Sequence, residues 1–346
     1  MSDSFPVRLS ELTPEWLSSV VGFEIVGFTA TDLGVGKGMM GDIYRLRSTR
    51  RDGSEAVFVV KFSADREDLR ATAKRSGIFE REINFYRHIA PELRCRIPKC
   101  FGTWYDGESA EFLIIMECID ADDSVSQITG ISFTQAQLVM NELAALHVPE
   151  SNFAHHRRYL SLVSAPERRT NQEVFIRNGW EKIRALAPEN LRVPFSVDHM
   201  ISKLLAAFDH LSALPFYLLH GDARPDNLLF SRDGGSVALI DWQGVALGPR
   251  EWDLGYFLAQ GLRVEDRRAW TNDLLDLYDS VSGADKTSTA RSEMLVNIGK
   301  AAWFSFGVAC ALFTVADISS QKTIDLAASM GERSLSLLLD FGELES

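Results

Sequence analysis

Three oxygen-bearing side chains around a short hairpin constrain this chain more than any other feature. The segment His220-Gly221-Asp222-Ala223-Arg224-Pro225-Asp226-Asn227 precedes two short apolar runs, 228–230 and 237–240, joined by Asp233-Gly234-Gly235. Asp-Gly between two apolar runs reads as a tight β-turn. The second run therefore returns towards the point from which the first departed, and delivers Asp241 at the head of Asp241-Trp242-Gln243. Any fold of this chain is expected to bring a loop and a hairpin end together, with Asp222, Asn227 and Asp241 at one mouth.

These groups suit phosphoryl transfer to an alcohol, a reaction that asks little covalent chemistry of the protein. It needs a carboxylate that orients the hydroxyl and accepts its proton. It also needs hard oxygen ligands that hold Mg²⁺ on the phosphates. Asp222 is the expected base, and Asn227 and Asp241 are the expected magnesium ligands. The plainer alternative has Asp222 and Asp226 merely capping turns, and the pairing of two motifs argues against it.

The pattern resembles the catalytic loop and metal-binding Asp of kinases, and more closely the aminoglycoside phosphotransferase/choline kinase-like superfamily. Its wording, HGD-x-R-x-x-N-L-L-F followed by DWQ, looks like the ecdysteroid-kinase-like phosphotransferase branch. The resemblance covers roughly residues 34–258. It implies an α+β, bilobal protein-kinase-like fold: a small five-stranded N-terminal lobe with one helix, and a larger, mainly helical C-terminal lobe. ATP and Mg²⁺ are the implied cofactors and a hydroxylated small molecule the implied partner. By the same resemblance Arg224 contacts the γ-phosphate, the alternative being a buried ion pair with Asp241 or Asp253. His220 is expected to hold the loop by packing and hydrogen bonding, and Asp253 to brace it.

Upstream, hydrophobicity alternates over 23–33, 42–48 and 55–62, with Asp52-Gly53 as a turn, and again over 97–105 and 110–117 around Asp106-Gly107. These read as strands. Residues 78–90 read as a helix ended by Pro91. On that helix Ile78, Glu82, Phe85, Tyr86 and Ile89 share one face by three- and four-residue spacing. Glu82 is thus a carboxylate in an apolar stripe, where burial without a partner is costly. Lys61, closing the apolar strand Ala56-Val57-Phe58-Val59-Val60, is its natural partner. In kinases such a Lys–Glu pair positions the α- and β-phosphates. Glu80 lies on the polar face with Asn84 and Arg87 and is the weaker candidate.

The glycine-rich run 34–41 joins two strands and lacks the Gly-Lys-Ser/Thr ending of a Walker A motif. Its Gly36 and Gly38 suit a phosphate-covering flap, since glycine allows close backbone approach; an ordinary hairpin is the alternative. Residues 113–118 are the expected hinge, with backbone groups from Glu117 to Ile119 receiving adenine. Cys118-Ile119 stands where the related branch usually reads Asp-Leu. The resulting division is 1–117 for the nucleotide lobe, 118–131 for the hinge and linker, and 132–346 for the catalytic and acceptor lobe. Beyond the linker, helices are expected over 133–147, 171–185, 196–211, 251–259 and 263–282, with two long ones after Thr287.

Composition narrows the function further. The formal net charge of -12 disfavours nucleic acid as a partner. The small lobe is the exception, with 15 Lys/Arg against 9 Asp/Glu over residues 36–100, as suits phosphates. The apolar run 301–316 is broken by Ser305 and Thr314 and is short of the about 20 residues of a spanning helix, so it reads as a buried helix and no membrane partner is expected. Cys95, Cys100, Cys118 and Cys310 form no CxxC pair, and the opening MSDSFPVRLS has no basic, apolar leader; a cytoplasmic protein is expected. No particular oligomeric state is implied.

Only eleven residues separate Asp241 from Asp253, with no serine, threonine or tyrosine among them. A protein kinase's activation segment does not fit there, so small-molecule substrates are favoured. An inactive nucleotide-binding module is the alternative of another class. For the acceptor, Phe175, Trp180, Phe195, Phe208, Trp303, Phe304 and Phe306 suggest apolar walls, and residues 294–316 contain no acid. A sterol-like or macrolide-like alcohol is therefore expected ahead of an aminoglycoside.

Overall fold

The computed structural model describes residues 5–33, 41–122, 125–283, 287–315 and 320–344. They form two compact units. The first consists of Met1–Leu93, Ile97–Asp120 and Ile240–Gly244; the second of Arg94–Arg96, Ala121–Leu239 and Val245–Ser346.

The first unit opens with α1 (Pro14–Val21), whose start follows from its cap: Thr13 Oγ1 accepts the Trp16 N–H at 3.2 Å and Pro14 takes the first helical position. Then come β1 (Ile25–Asp32), β2 (Gly41–Arg50), β3 (Glu55–Ser63), α2 (Glu67–Ser76), α3 (Ile78–Asn84), β4 (Cys100–Tyr105) and β5 (Phe112–Glu117). The strands make one antiparallel sheet in the order β1-β2-β3-β5-β4. Strand alternation sends Phe58, Val60 and Phe62 into a core with Leu17, Leu46, Leu113 and Ile115. Lys61 consequently lies on the other face, opposite Ile114. That face also carries Phe112, against which Phe79 of α3 packs at 4.7 Å.

Among the described residues, α2 is a helix of this lobe that the sequence did not announce. Helix α2 buries only Ala73 of its ten residues, so its sequence, EDLRATAKRS, has no apolar stripe to reveal it. The expected helix over 78–90 is also divided, because α3 ends at Asn84 and a π-turn, Phe85–Ile89, follows.

The second unit contains α4 (Phe133–Leu146), β6 (Ser161–Leu162), α5 (Pro166–Leu186), α6 (Val197–Leu211), β7 (Tyr217–Leu219), β8 (Leu228–Phe230), β9 (Val237–Leu239), β10 (Ala246–Gly248), α7 (Glu251–Gln260), α8 (Val264–Ser282), α9 (Ser288–Val315) and α10 (Gln321–Asp340). A capping box between Ser132 and Gln135 starts α4. The anticipated hairpin is β8–β9, with Leu228 opposite Leu239 and Phe230 opposite Val237. A three-stranded sheet, β6-β10-β7, lies beside the loop that precedes β8 in sequence.

Helix α9 has the length and hydropathy of a membrane span over Thr289–Phe313. Here α5, α6, α7 and α10 all pack on it, so its composition is that of a helix surrounded within a core. This arrangement corrects the assignment of the aromatic residues. Trp180, Phe208, Trp303, Phe304 and Phe306 are buried core rather than the walls of an acceptor pocket, and only Phe175 and Phe195 are half-buried. Helix α7 is enclosed to the same degree, with all ten residues buried. A Cβ on Gly255 would stand 2.8 Å from the Ile298 carbonyl oxygen and 3.0 Å from Ala301 Cβ. Gly255→Val should accordingly destabilise the protein by about 2 kcal/mol or more through overpacking, measured as a lower urea midpoint; an unchanged midpoint would show that α7 and α9 can part freely.

Candidate active site

In the first unit, β3 and α3 bring Lys61 and Glu82 together in the way the apolar stripe implied. Lys61 Nζ donates to both Glu82 oxygens at 2.8 Å and to Asp241 Oδ1 at 2.9 Å. Both partners of the Lys61–Glu82 pair are buried, with side-chain exposures of 8% and 2%. Burial pushes the Lys61 ammonium down, but the neighbouring Asp241 and Glu82 carboxylates outweigh it and hold its pKa above the ordinary lysine value. Glu80 is exposed and is not the partner.

Asp241 is set by the turn that follows it. Its φ of 63° lies in the left-handed region, a conformation costing about 1–3 kcal/mol outside glycine and kept only where the surroundings enforce it. They do so here through three contacts with α3 and its π-turn. Trp242 stacks on Phe85 with ring centres 3.9 Å apart, Gln243 Nε2 donates to Glu82 Oε2 at 3.2 Å, and Arg81 Nη1 donates to the Gln243 carbonyl at 2.9 Å. Gln243 therefore orients Glu82, a role the sequence did not reveal.

At the end of β5, the Glu117 N–H donates to the Lys99 carbonyl at 2.8 Å, and Glu117 Oε2 accepts from Lys99 N–H at 3.0 Å. The Glu117 N–H is thus spent on holding the strand end, and the expected adenine contact falls to the other backbone groups from Glu117 to Ile119. Ile119 is half-buried. Gly36 and Gly38 lie outside the described residues. A cavity of about 220 Å³ lined by Asp42, Tyr44, Phe62 and Arg70 among others contains none of Lys61, Glu82 and Asp241.

In the second unit, the loop between β7 and β8 is pinned by Asp253. Its carboxylate accepts the His220 N–H at 2.7 Å and the Gly221 N–H at 2.9 Å, with His147 Nε2 at 3.4 Å. Burial raises the Asp253 carboxyl, but His147, His220 and the Gly221 N–H outweigh it and hold its pKa low. His220 Nδ1 accepts the Asp222 N–H at 3.2 Å, and so spends that nitrogen on holding the loop. Asp222 itself is gripped twice. Asn227 Nδ2 donates to its Oδ2 at 2.8 Å, and Tyr256 Oη donates to its Oδ1 at 2.5 Å. This orientation of the Asn227 amide makes the carbonyl oxygen the atom able to ligate a cation. Burial and the adjacent Asp222 charge hold the Tyr256 phenol well above its ordinary pKa, hence protonated.

Within the second unit Arg224 has partners in its own loop and in the linker. Its Nε lies 3.3 Å from Asp222 Oδ1, its Nη1 3.8 Å from Asp226 Oδ2, and Nη1 donates to Gln127 Oε1 at 3.1 Å. Tyr256 and Gln127 were both missed from the sequence: the first reads as core in an all-buried helix, and the second sits in a linker without periodicity.

A five-stranded antiparallel sheet, a mainly helical unit, a buried Lys–Glu pair and an HGD loop are the parts of a phosphotransferase of the kinase-like fold. Residues 35–290 match the model of the APH phosphotransferase enzyme family, and the chain belongs to that family. An uncharacterised kinase-like protein of Caenorhabditis elegans is 27% identical over 124 residues, 35% of this chain. The match spans about a third (33%) of the length of that curated relative. Among solved structures, an aminoglycoside phosphotransferase described as putative, from Ralstonia eutropha, superposes with a TM-score of 0.62 at 16% identity, over 94% of this chain and 97% of that one. The GDP complex of aminoglycoside 2'-phosphotransferase-IIIa gives 0.56 at 14% identity, over 94% and 99%.

The buried pair makes a stability prediction. Lys61→Met leaves Glu82 buried without its cation and should cost about 3 kcal/mol or more, whereas Lys61→Met combined with Glu82→Leu should recover most of the loss. Urea unfolding of the three proteins measures this, and equal losses in the single and double variants would count against the pairing.

Proposed function

We propose that this chain transfers the γ-phosphate of magnesium-bound ATP to a hydroxyl of a small molecule. The observation that carries this reading is Lys61 held between Glu82 and Asp241, a buried charge cluster with no better structural justification than a polyphosphate to clamp. Lys61, oriented by Glu82, takes the α- and β-phosphates. Gly36 and Gly38 allow the backbone to approach the phosphates, and main-chain groups from Glu117 to Ile119 receive adenine. Asn227 and Asp241 offer an amide carbonyl and a carboxylate, a donor set that fits a hard cation such as Mg²⁺. When bound, that ion would neutralise charge on the transferring phosphoryl group.

Asp222 accepts the proton of the acceptor hydroxyl as its oxygen bonds to phosphorus. Arg224 stands two residues on in the same loop, and its planar guanidinium suits the phosphoryl oxygens. The inactive-module alternative is disfavoured because every one of these side chains is present and Asp222 is held by two donors.

For the acceptor, the buried aromatic residues carry no weight. Support for an uncharged, largely apolar alcohol comes instead from the acids of α5 and α6. Three of their five acids, Asp209, Asp198 and Glu181, pair with Arg169, Arg177 and Arg184 at 2.5, 3.2 and 2.5 Å. A polycationic aminoglycoside needs carboxylates that are not already matched by arginines. The likeness of the HGD and DWQ wording to the ecdysteroid-kinase-like branch points the same way.

Asp222→Ala should lower kcat by about 10²–10⁴-fold with ATP binding nearly intact; a purified variant keeping a third of wild-type turnover would rule Asp222 out as the base. In matched competition panels, sterol-like and macrolide-like alcohols should be phosphorylated ahead of kanamycin-type substrates, and the reverse order would reverse the acceptor assignment.

A further inference from the structure

Helix α7 touches the catalytic loop from one face and at two levels. Asp253 and Tyr256 are three residues apart, so they project from the same side of the helix. Asp253 holds the loop's main chain through the His220 and Gly221 amides. Tyr256 reaches past it to the side chain of Asp222 at 2.5 Å.

The Tyr256 position has no exposure at all. Its ring packs 5.5 Å from Phe304 of α9, and Phe304 lies 4.5 Å from Trp252, one turn earlier on α7. Phenylalanine would satisfy every one of these ring contacts. A hydroxyl placed so deep is costly unless it finds an acceptor, and the acceptor it finds is Asp222 Oδ1.

Asp222 needs such a partner. Its side chain is 30% exposed and sits in a loop, where a short carboxylate would otherwise rotate. Two hydrogen-bond donors take one oxygen each and together fix its plane, with Arg224 Nε 3.3 Å from Oδ1 as a looser ion pair. The two are not equivalent. Asn227 belongs to the same loop, five residues on, and shifts with it. Tyr256 belongs to a helix with ten buried residues, seated on α9 where Gly255 allows the closest approach. Of the two hydrogen-bond donors, the phenol is therefore the one that refers the carboxylate directly to the rigid body of the unit. Each oxygen keeps a further lone pair, so the grip leaves Asp222 able to accept a proton.

We propose that Tyr256 is the positioning residue of the phosphoryl-transfer base: its phenol, made immobile by the packing of α7 on α9, fixes the rotation of the Asp222 carboxylate. The proposal rests on the reading of Asp222 as the base. Tyr256 touches no reacting atom and moves no proton.

The test is Tyr256→Phe, which keeps the ring and removes one oxygen; because Asp222 is partly exposed, water can replace the lost donor and the fold is retained. Magnesium-dependent hydrolysis of ATP, with water as the acceptor, serves as the assay beside thermal unfolding. A misdirected base should lower kcat about 10- to 100-fold. The KM for ATP should stay within about twofold and the unfolding midpoint unchanged, since only the chemical step is affected. In an Asp222→Asn background the same change should have no further effect, because the two residues act as one unit. If Asp222→Asn is inactive but Tyr256→Phe keeps at least half the wild-type rate, Tyr256 has no positioning role and the base assignment stands. An equal loss from Tyr256→Phe in both backgrounds also overturns the proposal. If Asp222→Asn itself keeps a third of the wild-type rate, both the base assignment and the role of Tyr256 fall.

Discussion

The first unit is organised around one ammonium group. Lys61 Nζ has carboxylate oxygens at 2.8, 2.8 and 2.9 Å and almost no solvent. Burying a charge in this way is unfavourable unless its partners are close and fixed. The rest of the unit meets that condition. Strand β3 fixes Lys61 on the face opposite its own core residues, α3 supplies Glu82, and the turn after Asp241 is locked to α3 by Trp242, Gln243 and Arg81. The left-handed backbone of Asp241 is the local strain that this arrangement sustains. A cluster with two carboxylates around one cation is prepared for a further positive charge, and the strain is located at the residue offered to it.

The second unit follows the same principle with different parts. Its loop is irregular backbone, yet Asp253 satisfies two of its amides from a helix that is buried throughout. His220, fully buried, satisfies a third. The carboxylate proposed as the base is thus carried on a loop but referenced to helices, which is how an irregular segment acquires the precision a chemical step demands. Farther out, Gln127 joins Arg224 to Gln260, and Arg333 of α10 donates to the Gln127 and Gln260 carbonyls at 2.6 and 3.0 Å. The last helix is in this way wired to the loop through buried polar contacts.

How much of this was legible in the sequence depended on whether a residue broke its local pattern. Glu82 was readable because a carboxylate interrupted an apolar stripe, and the hairpin because Asp-Gly-Gly separated two apolar runs. Helix α2 was not, since a helix that buries one alanine has no period to detect. Tyr256 was hidden for the opposite reason: α7 is buried on every side, so a tyrosine bonded to Asp222 looks like any core aromatic. The same blindness misplaced Trp303 and Phe306, because a helix enclosed by four others presents aromatic residues to neighbours and not to a cavity.

The central claim is that Asp241, held by Lys61 and its own strained turn, forms part of a metal–nucleotide site. Calorimetric titration of ATP into the protein with and without Mg²⁺, for the wild type and for Asp241→Ala, tests it most directly. Magnesium-dependent binding in the wild type that is weakened at least about tenfold in the variant is the expected result, a loss of about 1.4 kcal/mol. The same magnesium-dependent affinity in both proteins would contradict it.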